Sequence, residues 1–353
     1  MVNKIIKLNI AIIIFCLGYL SCIDNVTAKD TSELLNKIAF LKEGEVWISD
    51  IQGKGIKKIT NTEGKVENFL FSPTLEYIAY SKINKYVDEP GIWEESEAPK
   101  RPVSSIVIKN LIDGTIIKEI FPSEFIYINK WKSANKLLCY ESSGFDVFGF
   151  YEYDIPKDIV TQIDYRKASI LSDADYHQDG SLVAYVDDTG VGKDFTNNLH
   201  LVDNKLNTDT IVVKKRSILD PKISHDKNYI AFFEVEWNYD TSKGRDNVWI
   251  FSIKNKSLKK IYTGSSKPKA GSREELAWSF DNQCVGMFHL KEALILDIQR
   301  SEHVQTISGT DFHWIINNNI IFSQDMNIYI YLLKDNKKEL IHNNATKPIF
   351  LWK

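Results

Sequence analysis

One pattern of hydrophobic and polar residues recurs along the chain. A large apolar or aromatic residue, here called the anchor, precedes a short polar turn and then an apolar run, as in Trp131 followed by residues 137–140. Short apolar runs rich in β-branched and aromatic residues, bounded by Gly, Asn, Asp and Lys, predict β-strands. The anchors of six such repeats are Phe71, Trp131, Tyr176, Ile223, Trp278 and Trp314.

Two further strand-like runs follow in the repeats. Third strands are predicted at residues 46–48, 106–108, 199–201, 248–250 and 328–330, and fourth strands at 58–60, 210–212 and 260–262. No segment keeps a helical period over three turns. Four strands in a repeat of roughly 40 to 60 residues predict one β-propeller blade per repeat.

The two ends of the sequence complement each other. It starts inside a repeat, with a second strand at residues 37–40, and stops on a first strand at 348–353, whose expected anchor is Trp352. Strands from both ends are therefore expected to share one blade and to close the ring without an open edge. The sequence thus predicts an all-β fold, a single β-propeller of seven four-stranded blades over residues 37–353, preceded by a linker at 23–36.

The N-terminal residues are expected to be a targeting segment. Lys4 and Lys7 precede an apolar stretch at residues 10–20, which is too short for an ordinary membrane span and is typical of a secretory signal at 1–22. Residues 18–22 resemble a bacterial lipobox, which implies lipidation of Cys22, although Tyr19 replaces the usual leucine. The alternative is an ordinary cleaved signal. The expected location is exported, periplasmic or anchored to the outer membrane, with the lipid anchor as the only membrane contact.

The turns between first and second strands resemble a known repeat. Residues 71–73 with 78–80, and residues 177–180 with 183–185, are similar to the TolB-type propeller repeat, in which Trp-Ser-Pro-Asp-Gly-Lys precedes Ile-Ala-Phe. The resemblance covers about residues 37–353 and implies the fold, but propellers carry many unrelated activities. Neither the α/β domain that precedes the TolB propeller nor the hydrolase domain that follows the ring in prolyl-oligopeptidase-like enzymes is expected here.

Charge and cysteine content limit the possible partners. The formal net charge is −3 and no basic stripe stands out, so a nucleic-acid partner is not expected. Beyond Cys22, the cysteines are Cys139 and Cys284, in second strands three blades apart. Because a disulfide needs Cα atoms within about 7 Å, both are predicted to be buried free thiols.

Known catalytic and metal-binding motifs are weak or missing. No Gly-x-Ser-x-Gly motif occurs, and Ser142 and Ser143 lie in a polar turn between strands. The seven histidines fall at different repeat positions, so structural roles are expected rather than a metal site. The oligogalacturonate lyase family has a similar ring with a histidine-rich metal site, but that site does not map here residue by residue. Residues 190–193 join two strands and do not form a phosphate loop, so no cofactor is expected.

Extra length accumulates in the connections between second and third strands, at residues 82–103, 187–197 and 234–247. These connections share one face of a propeller with the connections between blades. Long loops on a rigid scaffold often carry binding residues, and exposed aromatic and Arg side chains are typical of contact sites. The candidate binding residues are Tyr86, Trp93, Glu94, Glu95, Asp187, Asp188, Lys193, Trp237, Tyr239, Asp240, Lys243 and Arg245. The alternative is that these loops only pack on one another.

Three functions remain open. The favoured hypothesis is a non-catalytic exported scaffold that binds a protein or glycan partner through the long-loop face. The second is an enzyme of the polysaccharide lyase or hydrolase type, with a polar site at the mouth of the ring. The third is an accessory subunit without a small ligand. An enzyme should bring several titratable groups together at the channel, whereas a binding protein should show aromatic residues and few perturbed acids.

Overall fold

The computed structural model describes residues 31–88, 100–123, 126–142, 147–163, 174–187, 196–238, 243–264, 267–268, 275–288 and 291–352. In these ranges the fold is all-β, as the sequence predicts, and the helices are two short 3-10 turns at Thr31–Leu34 and Ile316–Asn318. No helix within the described part of the chain has the length and apolar character needed to cross a bilayer.

Seven antiparallel sheets form the seven blades of a propeller, with strands numbered β1 to β29 in chain order. Blade 1 contains β29 (Thr346–Leu351), β1 (Lys37–Lys42), β2 (Glu45–Asp50) and β3 (Lys57–Lys58). Blade 2 contains β4 (Val66–Phe71), β5 (Tyr77–Asp88), β6 (Lys100–Asn110) and β7 (Ile116–Ser123). Blade 3 contains β8 (Ile126–Ser133), β9 (Lys136–Ser142), β10 (Val147–Asp154) and β11 (Ile159–Ile163).

The other four blades follow in sequence. Blade 4 contains β12 (Asp175–Tyr176), β13 (Leu182–Val186), β14 (Asn197–Asp203) and β15 (Thr208–Arg216). Blade 5 contains β16 (Ile218–Ile223), β17 (Tyr229–Asn238), β18 (Lys243–Ser252) and β19 (Ser257–Thr263), with β20 (Lys267–Pro268) paired to β18. Blade 6 contains β21 (Glu275–Trp278), β22 (Cys284–Phe288), β23 (Glu292–Asp297) and β24 (Glu302–Ser308). Blade 7 contains β25 (Thr310–Ile315), β26 (Asn319–Gln324), β27 (Asn327–Leu332) and β28 (Lys337–Asn343).

Closure of the ring by both ends of the chain is confirmed. β29 lies antiparallel to β1 and pairs Phe350 with Ile38. The anchor of this blade is Phe350 and not Trp352, because Phe350 has the register in which Trp278 pairs with Val285. The two aromatic residues lie two positions apart, so strand alternation alone does not distinguish them. Trp352 follows the end of β29.

Anchor tryptophans connect neighbouring blades by hydrogen bonds. The indole Nε1–H of Trp131, Trp278 and Trp314 donates to a backbone carbonyl in the first strand of the preceding blade. The acceptors are the carbonyls of Leu70 at 3.3 Å, Lys222 at 2.9 Å and Ala277 at 3.0 Å, respectively. Each acceptor comes directly before the anchor of its own blade. The repeated anchor therefore packs between blades and also satisfies a backbone acceptor there.

The second strands form the core because each is covered by neighbouring blades on both faces. Ile38, Ala39 and Phe40 of β1 are fully buried, and so are the equivalent residues 230–232 of β17. Cys139 lies in blade 3 and Cys284 in blade 6, and both are free thiols, as predicted. Cys139 is buried, but Cys284 is only half-buried, because it begins β22 beside the polar turn.

Candidate ligand-binding site

Two of the predicted long loops belong to β-hairpins, and the loop assignment was wrong at residues 82–88, 100–103, 234–238 and 243–247, which are strand. β5 and β6 pair as far as Asp88 with Lys100, and β17 and β18 pair as far as Asn238 with Lys243. The hairpins extend past the blades, and among the described side chains of β5 most of those beyond Lys82 are exposed or half-buried. Strands there need no apolar pattern, so their polar sequence looks like that of a loop.

The structure describes some of the predicted binding residues. Tyr86 lies on β5 opposite Pro102 and is 58% exposed. Trp237 and Arg245 lie on the blade 5 hairpin, opposite Gly244 and Glu236, and Lys243 begins β18. Blade 2 and blade 5 are three blades apart, so the described residues do not form one cluster. The following predicted residues lie outside the described ranges: Trp93, Glu94, Glu95, Asp188, Lys193, Tyr239, Asp240 and the lipidation candidate Cys22.

Asp187 takes part in a polar row across blade 4. Its Oδ2 lies 3.2 Å from His200 Nε2, and His200 Nδ1 lies 2.9 Å from Asp209 Oδ1. Tyr185 donates its hydroxyl to Asp209 Oδ2 at 2.6 Å. Burial opposes ionisation of Asp187, but hydrogen bonds from Asn198 and from His200 outweigh it and hold the pKa below the usual value. The Asp187 carboxylate therefore accepts hydrogen bonds from residues of its own blade.

A cluster at the base of the blade 5 hairpin was not predicted from the sequence. We call it the hairpin-base cluster, and it packs around the indole of Trp249. The Arg216 guanidinium lies 4.4 Å from the ring centroid, and Lys260 Nζ lies 5.1 Å from it. Its members are Arg216, Glu234, Glu236, Asn247, Trp249 and Lys260.

Ion pairs and hydrogen bonds connect this cluster. Arg216 pairs with Glu234 at 2.9 Å, and Asn247 Nδ2 donates to Glu236 Oε1 at 2.8 Å. However, Asn247 is fully buried and its Oδ1 has no hydrogen-bond partner among the described residues, and the buried Nε1–H of Trp249 has none among them either. A buried polar atom without a partner loses roughly 1–3 kcal/mol of solvation. An acceptor and a donor are thus left unused on alternate residues of one strand.

The central channel holds charged residues that the sequence analysis did not single out. First strands of several neighbouring blades touch one another, so they line the channel. The residue directly before the anchor is titratable in blades 3, 4, 5 and 7, where it is Lys130, Asp175, Lys222 and His313. The alternation that buries each anchor between blades turns these side chains to the inside of the ring.

The charged side chains of the channel form ion pairs with one another and hydrogen bonds with the backbone. Lys222 Nζ lies 3.0 Å from Asp220 Oδ1 and 3.5 Å from Glu275 Oε1. Asp220 accepts the backbone N–H of Leu276 at 2.7 Å, and Asp175 accepts that of Ile223 at 2.7 Å. These carboxylates therefore connect the first strands of neighbouring blades.

The charges also set the protonation states in the channel. The Lys222 ammonium lowers the pKa of the Glu275 carboxyl, and Lys130, from three blades away, lowers it further. Burial lowers the pKa of His313, which keeps its imidazole neutral near pH 7. Among the described residues, no group of three or more His, Cys, Asp or Glu side chains is arranged to hold a metal ion.

Aromatic rings from separate blades meet at the end of the channel that lies on the face of the first-to-second turns. His225 stacks on Phe280 at 5.3 Å between centroids, and Trp352 meets both rings edge-on at 4.7 Å. Each residue lies two positions after its anchor, in blades 5, 6 and 1. Contact between blades that are not adjacent is possible only near the axis. These rings narrow the channel on the face opposite the hairpins.

Comparison with known proteins supports the fold and leaves the function open. No protein-family model and no curated protein matches the sequence. The tricorn protease is 10% identical, with a TM-score of 0.53, over 89% of this chain and 34% of that protein. An uncharacterized protein of Listeria monocytogenes EGD-e is 14% identical, with a TM-score of 0.53, over 88% of this chain and 92% of that one.

TolB from Acinetobacter baumannii is a more distant structural match. It is 15% identical, with a TM-score of 0.43, over 89% of this chain and 66% of that protein. At such identities, likeness shows a shared fold alone. This chain is a seven-bladed β-propeller with distant similarity to TolB and to the tricorn protease.

Proposed function

We propose that this protein is a binding scaffold that takes up a protein or glycan partner on the face carrying the two hairpins. The observation that carries the proposal is the pair of unused polar atoms, Asn247 Oδ1 and Trp249 Nε1, in the hairpin-base cluster. Buried polar groups in folded proteins nearly always have partners, so an unpaired donor and acceptor two residues apart call for an explanation, and a bound partner is the one we favour.

Blade 1 provides an internal comparison for this cluster. Trp47 pairs with Phe40 as Trp249 pairs with Phe232, and Glu45 is the counterpart of Asn247. In blade 1 both polar positions are satisfied. The indole of Trp47 donates to the carbonyl of Lys42 at 3.0 Å, and Glu45 accepts backbone N–H bonds from residues 62 and 64.

The difference follows from how the two hairpins end. Blade 1 turns directly after Lys42, whereas the strands of blade 5 continue to Asn238 and Lys243. The acceptor of Trp47 is the last residue before the turn of blade 1, which the extension of blade 5 replaces, whereas the N–H groups that Glu45 accepts lie in the connection from β3 to β4. Both atoms are shielded from solvent in the free protein. A partner that displaces the side chains covering them and offers a donor to Asn247 and an acceptor to Trp249, as a peptide backbone or a sugar with adjacent hydroxyls does, would form both bonds.

The first experiment identifies the partner. A photo-crosslinking amino acid replaces Tyr86, which is 58% exposed on the blade 2 hairpin, in cells that make the protein. Leu206, which is 71% exposed in a turn on the opposite face, is the matched control position. We expect one specific crosslinked partner from position 86 and none from position 206. Crosslinking from position 206 but not from position 86 would place the partner on the face opposite the hairpins and would contradict the proposal.

The second experiment separates binding from folding. Trp249→Phe removes an N–H that has no partner, so it should weaken partner binding by about 1–3 kcal/mol with little loss of hydrogen-bond stabilisation. Trp47→Phe removes a hydrogen-bonded N–H and should lower stability while binding stays unchanged. If Trp249→Phe binds the partner as tightly as the wild type, the cluster is not the contact site.

The channel favours one alternative function. Asp220, Lys222, Glu275 and His313 converge there, as expected of an enzyme of the lyase or hydrolase type. Glu275 is the most exposed of these carboxylates, with 69% of its side chain open to solvent. The test is turnover of a polysaccharide panel, followed by release of reducing ends or unsaturated products. Turnover that Glu275→Gln abolishes would favour the enzyme, and its absence favours the scaffold.

Export and anchoring complete the proposal. The support is the sequence of residues 1–22, with the lipobox-like segment that ends at Cys22. A lipidated Cys22 would hold the propeller at a membrane surface without a spanning segment. We expect the Cys22→Ala variant to leave the membrane fraction. A variant that stays membrane-bound would contradict lipidation.

A further inference from the structure

A cavity of about 510 Å³ lies at the seam where the ring closes, between blade 7 and blade 1. It opens on the face of the first-to-second turns, because its wall includes the turn that follows β25 and the turn that follows β2. This is the face opposite the hairpins. The cavity therefore belongs neither to the proposed partner surface nor to the channel charges.

The floor of the cavity is apolar. Ile51, Leu332, Ile341 and Phe350 contribute to it, together with Ile316 and Leu340. Ile316 is 41% exposed and Leu340 is 51% exposed, although both are large aliphatic side chains. Single exposed apolar residues are common on protein surfaces, but two that line the same concave site favour an apolar ligand.

The rim of the cavity is polar and lacks positive charge. The side-chain amides of Asn36, Gln52 and Asn317 line it, and none of them makes a hydrogen bond to the described part of the protein. Glu339 adds one carboxylate, which pairs with Lys337 at 2.7 Å. No Lys, Arg or His side chain of the described residues lines the cavity. An anionic ligand would meet the Glu339 carboxylate, whose paired Lys337 does not itself line the cavity, whereas a neutral one would meet amide donors and acceptors.

We propose that this seam cavity is a binding site for a small uncharged molecule with an apolar body and a hydrogen-bonding group. The volume lies in the range of small-molecule sites, which combine an apolar lining with a few polar groups. The body of the ligand covers Ile316 and Leu340, and its polar group meets the amides at the rim. The site lies between the strands that close the ring, so occupancy also ties blade 7 to blade 1.

Two fluorescent probes with the same aromatic body test the charge preference. N-phenyl-1-naphthylamine is neutral, and 8-anilinonaphthalene-1-sulfonate adds an anionic group. We expect saturable binding of one neutral molecule per chain and at least tenfold weaker binding of the sulfonate. Absence of saturable binding, or equal affinity for both probes, would overturn the proposal, because general apolar exposure does not discriminate by charge.

Variants locate the probe. Leu340→Trp and Ile316→Trp each place a larger side chain in the cavity lining and should each weaken binding of the neutral probe at least tenfold. Leu206→Trp, at an exposed position in a third-to-fourth turn on the same face, is the matched control and should bind as the wild type does. Circular dichroism checks that each variant is folded. If one of the two cavity variants does not fold, the other alone tests the site. Unchanged binding in a folded cavity variant would place the probe elsewhere.

The carboxylate has its own readout. Glu339→Gln should strengthen binding of the sulfonate probe several-fold and leave the neutral probe unchanged, because only the anion is repelled by Glu339. No change for the sulfonate would refute the role of the rim charge. None of these results depends on the partner of the hairpin face, so the two proposals fail separately.

Discussion

The anchor position allows one prediction in which the same kind of substitution has opposite effects in two blades. Trp278 is the anchor of blade 6, is 4% exposed, and donates to the carbonyl of Lys222 at 2.9 Å. Tyr176 is the anchor of blade 4, and its buried hydroxyl has no hydrogen-bond partner in the part of the chain that the structure describes. Phenylalanine at either position keeps an aromatic ring between the blades and removes the polar group.

The magnitudes follow from these contacts. Trp278→Phe loses a hydrogen bond that contributes about 0.5–1.5 kcal/mol, and it leaves space where the larger indole packed. We expect the free energy of unfolding to fall by about 2–4 kcal/mol in total. Tyr176→Phe removes a hydroxyl whose desolvation is not compensated, so stability should stay the same or rise by about 1 kcal/mol.

Urea unfolding followed by circular dichroism measures both variants, with midpoints compared at a common m-value. Trp314→Phe is the matched replicate, because its indole donates to Ala277 at 3.0 Å, and it should behave like Trp278→Phe. If Tyr176→Phe destabilises as much as the two tryptophan variants, the Tyr176 hydroxyl must be hydrogen-bonded in the folded protein, because this substitution leaves the ring itself unchanged. The expected contrast between the two blades would then be refuted.

Three further predictions concern closure, thiols and pH. Deleting residues 348–353 removes most of β29 from its pairing with β1, together with Phe350, which is 4% exposed. Because burial of such a side chain stabilises by about 1.5–3 kcal/mol, the shortened chain should aggregate or unfold. Cooperative melting near the full-length temperature would contradict terminal closure. Burial raises the pKa of Cys139 far above its usual value and that of Cys284 to about 11; both should resist alkylation near neutral pH in the native state and react after denaturation without reductant, whereas a disulfide between them would contradict the blade register. Burial lowers the pKa of His342 from 6.5, so the unfolded chain binds the proton more readily than the folded one. The free energy of unfolding should therefore fall as the pH falls below about 6.5. His342→Gln should make the urea midpoint less dependent on pH in this range.

The blades were predictable because their signals are local. The anchors, the tight turns after them and apolar second strands such as residues 230–232 report burial through strand alternation, and each repeat carries the same pattern. The fragments at the two ends predicted closure because a propeller cannot leave a single strand unpaired. The free state of Cys139 and Cys284 followed from the same register.

The binding role of the candidate residues stays a prediction. The long connections were assigned as loops, whereas the structure has hairpins in two of them, and Tyr86 is exposed on one of these hairpins. Most of the other candidate residues lie outside the described ranges, and their roles stay predictions. Trp249 was missed because residues 248–250 look like an ordinary third strand. One signal was available, namely that the equivalent strand of blade 1 also carries a tryptophan, Trp47.

The sequence by itself determined the fold class, the number of blades and the way the ring closes, because alternation and repetition depend on residues close together in the chain. Only the tertiary structure decided which polar atoms are satisfied. The missing partners of Asn247 and Trp249, the charge network around Lys222 and the cavity beside Leu340 all depend on contacts between residues that are distant in sequence. Such contacts depend on how far one strand extends past its blade and on how neighbouring blades pack, and residue order within a single repeat does not encode either property.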